Sequence, residues 1–325
     1  MVIDCILDID KNELFVKESV NINVLGFFKP TFYDQPKFHE YHQKFSDEVF
    51  RLIIQSNNKF IGYCYLGGKN GVLTAPYSSP FALLYLKENF KIRDACVFID
   101  GIKSFAVHKD FKIINFTLPP EMYENELINT LVAAFFSQGF KAKSIELNNY
   151  FDLDKIVDME TYLKRSTHKV RKNYKNALKN ELVFKQIEIE DFEKAYDVIK
   201  INREQMGYPL KISKQQMQDL INMETLVVRA FIIEKQEKPI AAALIFDVTE
   251  EISQVVYWGD ILEYRAERAM DLLTSNIFIF YKKLKKKYLD IGPSSEYGII
   301  NEGLADFKKS IGCNTNVKIT FEYTI

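Results

Sequence analysis

The chain has 325 residues, 47% of them hydrophobic and 14% aromatic, which is enough apolar material to fill real cores and exclude disorder over most of the length. Its 43 basic and 44 acidic side chains nearly cancel to a formal net charge of −1, so no global field draws it to DNA or an anionic membrane, and any such binding has to come from a local patch. No apolar run approaches the roughly 20 residues needed to cross a bilayer, and the length suits two domains of roughly 160 residues.

The opening MVIDCILDIDKNELF carries acids where a signal peptide needs a basic stretch, and no long apolar segment follows, so a cytoplasmic protein is expected. His39-Glu40-Tyr41-His42 sets two histidines three residues apart without a third ligand nearby. They read as structural or surface residues, and no metal is expected. Cys5, Cys64, Cys96 and Cys313 are scattered with no C-x-x-C pair, the pattern of buried thiols in a reducing compartment.

An internal repeat organises the rest. Residues 52–66, LIIQSNNKFIGYCYL, return at 231–245 as FIIEKQEKPIAAALI, with Ile53/Ile232, Ile54/Ile233, Lys59/Lys238 and Ile61/Ile240 identical. Each is an apolar run, a polar turn (Ser56-Asn57-Asn58 or Lys235-Gln236-Glu237) and a second apolar run, which predicts a β-hairpin. Further along, FKIINFTLPP at 111–120 corresponds to KYLDIGPSSE at 287–296, each after a helix-length segment. Phe136 and Gly139 before Ile145 and Leu147 then match Phe307 and Gly312 before Val317 and Ile319. Both read as a helix, a glycine C-cap and a half-buried strand.

Two copies of one fold follow, each running hairpin, strand, helix, strand, helix, strand. This is a mixed α/β order with an antiparallel start and one parallel crossover. In the second copy the pattern predicts strands near 226–234, 239–248 and 252–259, a helix 264–286, a strand 288–292, a helix 301–311 and a strand 315–323. Between the copies, 158–180 reads as one helix. Met159, Tyr162, Leu163, Ser166, Val170, Tyr174 and Leu178 step by three or four into a buried stripe, and Lys164, Arg165, Lys169, Arg171, Lys172, Lys175 and Lys179 occupy the opposite face. A boundary near residue 157 gives domains 1–157 and 158–325, the second opening with this basic helix. No G-x-S-x-G, P-loop or G-x-G-x-x-G occurs, so hydrolase, NTPase and dinucleotide-enzyme readings have no foothold.

The element order, with the phrases VRKNYKNALKNELVF (170–184), REQMGYPL (203–210), VVYWGD (255–260) and YLDIGPSSEYGIINEGLADFKKSIG (288–312), resembles the GNAT superfamily of N-acyltransferases and, more closely, its tandem FemAB-like branch. The resemblance covers most of 158–325 and, more faintly, 1–157 as a degenerate first copy. It implies two tandem GNAT-like domains, each a twisted mixed sheet flanked by helices. It also implies transfer of an acyl group from acyl-CoA, acetyl-CoA in the simplest case, to a small-molecule amine in a cleft between the domains. The alternatives are FemAB-like aminoacyl transfer from aminoacyl-tRNA to a cell-wall precursor, and a non-catalytic ligand-binding or scaffold role. The long helical-hairpin insertion common in tRNA-dependent members has no counterpart of that length between 181 and 225.

By the same resemblance, the strands at 252–259 and 288–292 splay apart, and the backbone of Val255 and Val256 pairs with the donor's pantetheine amides. The next helix start cradles its pyrophosphate. The signature there, Q/R-x-x-G-x-G/A, falls on Arg265 to Met270: Arg265 fits, Arg268 replaces the glycine, Met270 replaces the last small residue, and Ala269 lies between. The basic face of 158–180 is either solvated or a patch for the phosphates of CoA, a nucleotide-sugar or tRNA. The first copy reads SSPFALLYLKENFKIRDA at the corresponding place, with no glycine-rich turn. It is therefore expected not to bind donor and to wall the acceptor cleft near Thr74, Tyr77 and Ser78.

Acyl transfer to an amine needs a base, a donor for the developing oxyanion and an acid for the leaving group. Asp260, after the only tryptophan, and Glu296 are candidates for the base or for an ammonium site, although both also fit ordinary turns. Tyr257 and Tyr297 are candidate acids. Trp258, Ser294, Ser295, Asn301 and Lys308 are candidate substrate-binding residues; Trp258 and Tyr257 alternate along the strand, so one faces the core and one of the two is expected to wall the pocket.

Overall fold

A computed structural model describes residues 2–17, 30–87, 89–208 and 210–325; Pro209 of the REQMGYPL segment lies outside them. Contacts divide the chain into two compact units, Met1–Glu146 together with Val317–Ile325, and Leu147–Asn316.

Unit 1 holds β1 (Val2–Asp8), β2 (Glu13–Lys17), α1 (Pro36–His42), β3 (Glu48–Ser56), β4 (Lys59–Lys69), β5 (Val72–Ala75), β6 (Tyr85–Leu86), α2 (Ile92–His108), β7 (Ile113–Thr117), α3 (Asn125–Ser137) and the first half of β8 (Lys141–Asp152). β1 lies antiparallel to β2 and parallel to β3. β3, β4 and β5 are antiparallel neighbours, and β5 is parallel to β7. Residues 320–324 close this sheet, antiparallel to β7.

Unit 2 takes the second half of β8, then α4 (Met159–Arg165), α5 (His168–Lys179), β9 (Val183–Ile187), α6 (Phe192–Gln205), α7 (Lys214–Ile221), β10 (Val228–Lys235), β11 (Lys238–Asp247), β12 (Ile252–Asp260), α8 (Ala269–Lys283), β13 (Tyr288–Pro293), β14 (Ser295–Glu296), β15 (Ile299–Ile300), α9 (Glu302–Ser310) and the start of β16 (Asn314–Thr324). β9 to β12 are antiparallel neighbours, β12 is parallel to β13, and β13 is antiparallel to β8. The predicted second-copy strands and its last helix are found within two residues of their expected ends.

The two hairpins agree in their irregularities as well as their order. β3/β4 has a register shift between Ile54 and Gln55, and β10/β11 has one between Ile233 and Glu234, the corresponding pair in the repeat. Both turns also put two residues at positive φ: Asn57 at 50° and Asn58 at 55°, Gln236 at 49° and Glu237 at 63°. A two-residue turn with this signature matches the right-handed twist of its strands and suits Asn or Gly. Gln236 and Glu237 are poor choices for it, so Glu237→Gly is expected to raise stability by about 0.5–1 kcal/mol. A urea titration showing no gain would mean that the turn is not strained.

The helix expected over 158–180 is two helices, α4 and α5. Ser166, whose hydroxyl donates to the Tyr162 carbonyl at 2.8 Å, is extended at φ −72° and ψ 161°. Thr167 then caps α5 by accepting the Val170 N–H at 3.3 Å. Two adjacent hydroxyl residues that bond local backbone favour a helix boundary over a helix interior. The break re-phases the buried stripe. In α5 the buried residues are Val170, Asn173 and Ala177, while Leu178 is 51% exposed. The helix expected over 264–286 likewise begins only at Ala269, because Arg268 adopts the left-handed conformation. Of the four thiols, Cys96 is half-exposed and the other three are buried.

The core of unit 2 lies between the sheet and α8. Phe231, Ile233, Ala241, Ala243 and Val255 pack with Leu273, Ile277 and Phe278 on one face. The alternate residues Ile232, Ala242 and Leu244 are also fully buried, and α6 lies against β10, β11 and β12 to cover them. Burial on both faces explains the near-continuous apolar runs of these strands.

Candidate functional site

The sheet of unit 2 forks. β12 and β13 pair only from Ile252/Tyr288 to Gln254/Asp290. Beyond that point β12 continues along β11 to Asp260, and β13 continues along β8 to Pro293. Among the described residues, therefore, no strand pairs with the β13-facing edge of Val255–Asp260. A β-bulge sharpens the divergence, since Leu244 and Ile245 oppose Tyr257 and Val255 and leave Val256 as the extra residue. Bulges bend a strand and raise its local twist, which opens the fork where the resemblance expects it.

The fork leads into a pocket of about 870 Å³, whose described lining residues all belong to unit 2. Val255 to Asp260 form one wall, the C-terminal end of α6 and α9 form others, and the starts of α5 and α8 close the end. Five lining side chains are cationic (Lys169, Arg203, Arg265, Arg268, Lys308) and three are acidic (Asp260, Asp271, Asp306), so the pocket favours an anionic ligand.

Lys308 is the buried residue of α9, only 2% exposed. Its Nζ donates to the Gly292 carbonyl at 2.9 Å and the Pro293 carbonyl at 2.8 Å. Burial is the main influence on it and lowers its pKa to about 8. Nearby, Arg203 lies over the Tyr257 ring at 5.6 Å, and its buried Nε has no hydrogen-bond partner among the described residues. An unsatisfied buried guanidinium N–H at a pocket wall is a ready donor for a ligand.

At the far end, Arg268 has φ 66° and ψ 34°, the conformation the signature's glycine would adopt freely. The turn is thus present although the residue is not glycine, and Met270 and Asp271 of the first turn of α8 line the pocket beside Arg265, Arg268 and Lys169. Asp260 is buried, with Arg265 Nε at 3.6 Å; burial raises its carboxyl above the ordinary range and Arg265 opposes that shift. Asp271, in the first turn of α8, is also raised by burial, and accepts from Asn173 Nδ2 at 3.3 and 3.2 Å. Burial likewise raises Tyr257, whose hydroxyl meets the backbone of Ile212 and Lys211.

The fold brings Val255, Val256, Tyr257, Trp258, Asp260, Arg265, Arg268, Asn301 and Lys308 to this one pocket. Trp258 meets Phe307 edge-on at 6.3 Å, and Asn301 caps α9 by accepting the Leu304 N–H at 3.0 Å. Ala269 is fully buried in the core, and only its backbone stands at the helix start. Ser294 is buried and its hydroxyl donates to the Asn149 side-chain carbonyl, while the Ser295 hydroxyl accepts the Leu147 backbone N–H at 2.8 Å. Glu296 and Tyr297 stand on the β14–β15 hairpin, with Tyr297 85% exposed in its turn and Glu296 at 4.0 Å from Lys211. Neither lines the pocket.

Sequence reasoning missed Asn202, Arg203, Met206 and Tyr208 from the end of α6, and Asn173 and Asp271. The REQMGYPL phrase spans three of these, but nothing local in it reveals which strand it faces. Lysines and arginines of α4 and α5, among them Lys164, Arg165, Lys172, Lys175 and Lys179, remain exposed.

In unit 1 the corresponding strand leaves the sheet after Ala75. Phe81 to Leu84 are buried there, and the Ala82 N–H donates to the Thr117 carbonyl at 2.9 Å, so the chain itself occupies the position of the fork. His39 and His42 are both buried, stacked on Tyr65 and Phe38 at 3.6 and 3.8 Å. His39 Nδ1 lies 2.8 Å from the Tyr77 hydroxyl. Among the described residues, no cluster of three or more His, Cys, Asp or Glu is placed to hold a metal, and no helix is long and apolar enough to cross a membrane.

Neither a protein-family model nor a curated protein matches the chain. Solved structures do. FemX superposes with a TM-score of 0.65 at 14% identity, over 90% of this chain and 92% of FemX. The C-terminal domain of an Agrobacterium fabrum protein assigned as a lysylphosphatidylglycerol synthetase gives 0.56 at 11% identity, over 84% of each chain. L-PGS from Bacillus licheniformis gives 0.52 at 13% identity, over 83% of each. The fold is thus the tandem GNAT-like, FemAB-like one that the sequence resembles, built from mixed sheets flanked by helices.

Proposed function

We propose that the chain is an acyl or aminoacyl transferase whose donor enters the forked pocket of unit 2 and whose acceptor is an amine. The observation that carries this reading is the unpaired edge of Val255–Asp260 opening into a pocket that holds a buried lysine. An extended donor arm can hydrogen-bond to that edge as an added strand would. Its phosphates suit the α8 start with Arg265, Arg268 and Lys169.

Transfer forms a C–N bond to the attacking amine and breaks the C–S or C–O bond to the carrier. Asp260, with its carboxyl raised by burial, accepts the proton lost by the attacking nitrogen. Lys308 commits two of its three N–H bonds to carbonyls, and the third is available to the oxyanion that develops on the acyl carbonyl. Tyr257 is the candidate to return a proton to the leaving thiol or hydroxyl. Glu296 and Tyr297 have no part in this scheme.

Two donor classes fit the chemistry. The free edge at Val255 and Val256 and the left-handed turn at Arg268 favour acyl-CoA. The fold shared with FemX, and with a protein assigned to make an aminoacyl lipid, favours an aminoacyl donor such as aminoacyl-tRNA. Calorimetric titration separates them. One donor is expected to bind, with roughly tenfold weaker affinity in Arg265→Ala and in Arg268→Ala, and a tRNA would add a steep salt dependence. Absence of binding by acetyl-CoA at millimolar concentration and by charged tRNA would sink the transferase reading and leave a non-catalytic module.

A further inference from the structure

The fork has a polar crotch. Asp290 closes the paired part of β13, opposite Gln254, and is 1% exposed. Its Oδ2 accepts from Gln254 Nε2 at 2.8 Å, and its Oδ1 accepts from Asn148 Nδ2 at 3.1 Å and from the Gly292 N–H at 3.0 Å. Gly292 takes φ 78°, a conformation that turns its N–H toward Asp290 while its carbonyl, with that of Pro293, receives Lys308 Nζ. A sheet interior at this position would be stabilised by a branched apolar residue. A buried carboxylate is costly to desolvate, and the donors around Asp290 offset that cost.

The geometry points to Asp290 as a positioning residue for the transfer reaction: through the Gly292 turn it sets where the Lys308 ammonium stands in the fork, and its buried carboxylate favours the charged form of that lysine. This rests on the reading of Lys308 as the oxyanion donor. The other groups that bear on Lys308 are Arg203 from α6, a fixed positive charge that opposes its protonation, and Cys313 just before β16. Burial pushes the Cys313 thiol up to about 12, so it stays neutral near neutral pH. Asp306 and Lys309 lie on the same helix as Lys308. Asp290 is thus the partner whose removal has a predictable sign.

The test is competitive labelling of Lys308 with acetic anhydride in the full-length protein, read by mass spectrometry from about pH 6 to 10, a window that brackets its titration. Asp290→Asn keeps the shape and removes the charge, and Gln254 can turn its amide to meet the new one. The labelling midpoint is expected to fall by about one pH unit. Gln254→Leu removes a donor that favours the charged carboxylate, so the midpoint is expected to fall, by less than in Asp290→Asn. A fall is not what general loosening produces, because letting water reach a buried lysine raises its midpoint toward the ordinary 10.5. Midpoints unmoved in folded variants would overturn the assignment, and if Asp290→Asn does not fold, Gln254→Leu decides alone. Labelling does not depend on turnover. Native activity in Lys308→Met would remove the reading of Lys308 without altering what the midpoints say of Asp290.

Discussion

Lys308→Met is expected to lower the transfer rate by roughly 10²- to 10³-fold, the range seen when one preorganised oxyanion donor is lost. Methionine keeps the length and apolar stem of the side chain, so the packing of α9 against the Gly292–Pro293 turn is largely retained. What disappears is the ammonium and its bonds to the two carbonyls. The pH dependence gives a second check. Burial lowers the Lys308 pKa from its ordinary 10.5 to about 8, so the group is charged below that value and neutral above it. An oxyanion donor works in the charged form, and the rate of the native protein should therefore fall as pH rises through about 8.

Stability runs the other way. The unfolded chain binds more protons at this position between pH 8 and 10.5, so the contribution of Lys308 to stability rises with pH across that window. A single-turnover pH–rate profile settles the kinetic claim. A rate that climbs through pH 8 would identify neutral Lys308 as a base and assign the oxyanion elsewhere, with Arg203 the next candidate.

Gly259→Ala should destabilise unit 2 by about 1–3 kcal/mol, the usual cost of overpacking a filled interface. A methyl group there would overlap Asn202, approaching its Cγ to 2.5 Å. Asn202 cannot simply swing aside, because it is 8% exposed and its Nδ2 donates to the Asp260 carbonyl at 2.6 Å. That bond ties α6 to the end of β12, beside the carboxylate proposed as the base. Asn202→Ala alone should cost about 1–3 kcal/mol by leaving a buried carbonyl without its donor. In the double variant the overlap is gone, so the two costs should fall short of their sum by about 1 kcal/mol or more. Urea titrations of the four proteins measure this directly. Strict additivity would mean that the contact does not hold α6 in place.

Much of the fold was legible in the sequence where the signal is local. The hairpins could be read because alternation, turn residues and apolar runs lie within fifteen residues of one another, and even the matching bulges occupy equivalent places in the repeat. Gly139 and Gly312 marked helix ends because a residue at φ 85° or 97° is most easily a glycine. The position of the fork, and with it Val255 and Val256, followed from a motif read as a resemblance. Arg268 shows the limit of such a motif: the signature glycine is missing, yet the left-handed turn it would provide is made by an arginine. Motifs record a preferred residue, whereas the backbone obeys the sum of its surroundings.

The sequence by itself determined the order of elements, the two-copy plan and which stretch carries the groove, since these rest on periodicity and on the conformational preferences of neighbouring residues. Only the tertiary structure decided which polar side chains the pocket uses. Glu296 and Lys308 looked alike as charged residues beside the same turn; one stands on an exposed hairpin and the other is buried against two carbonyls. Arg203, Asn202 and Asp271 joined the site because α6 and α8 pack against the sheet, through contacts between residues far apart in the chain. Tertiary pairing likewise decided that residues 320–324 close the sheet of unit 1 and that 148–152 close that of unit 2, because which strand completes a sheet depends on the free edge it meets and not on its own sequence.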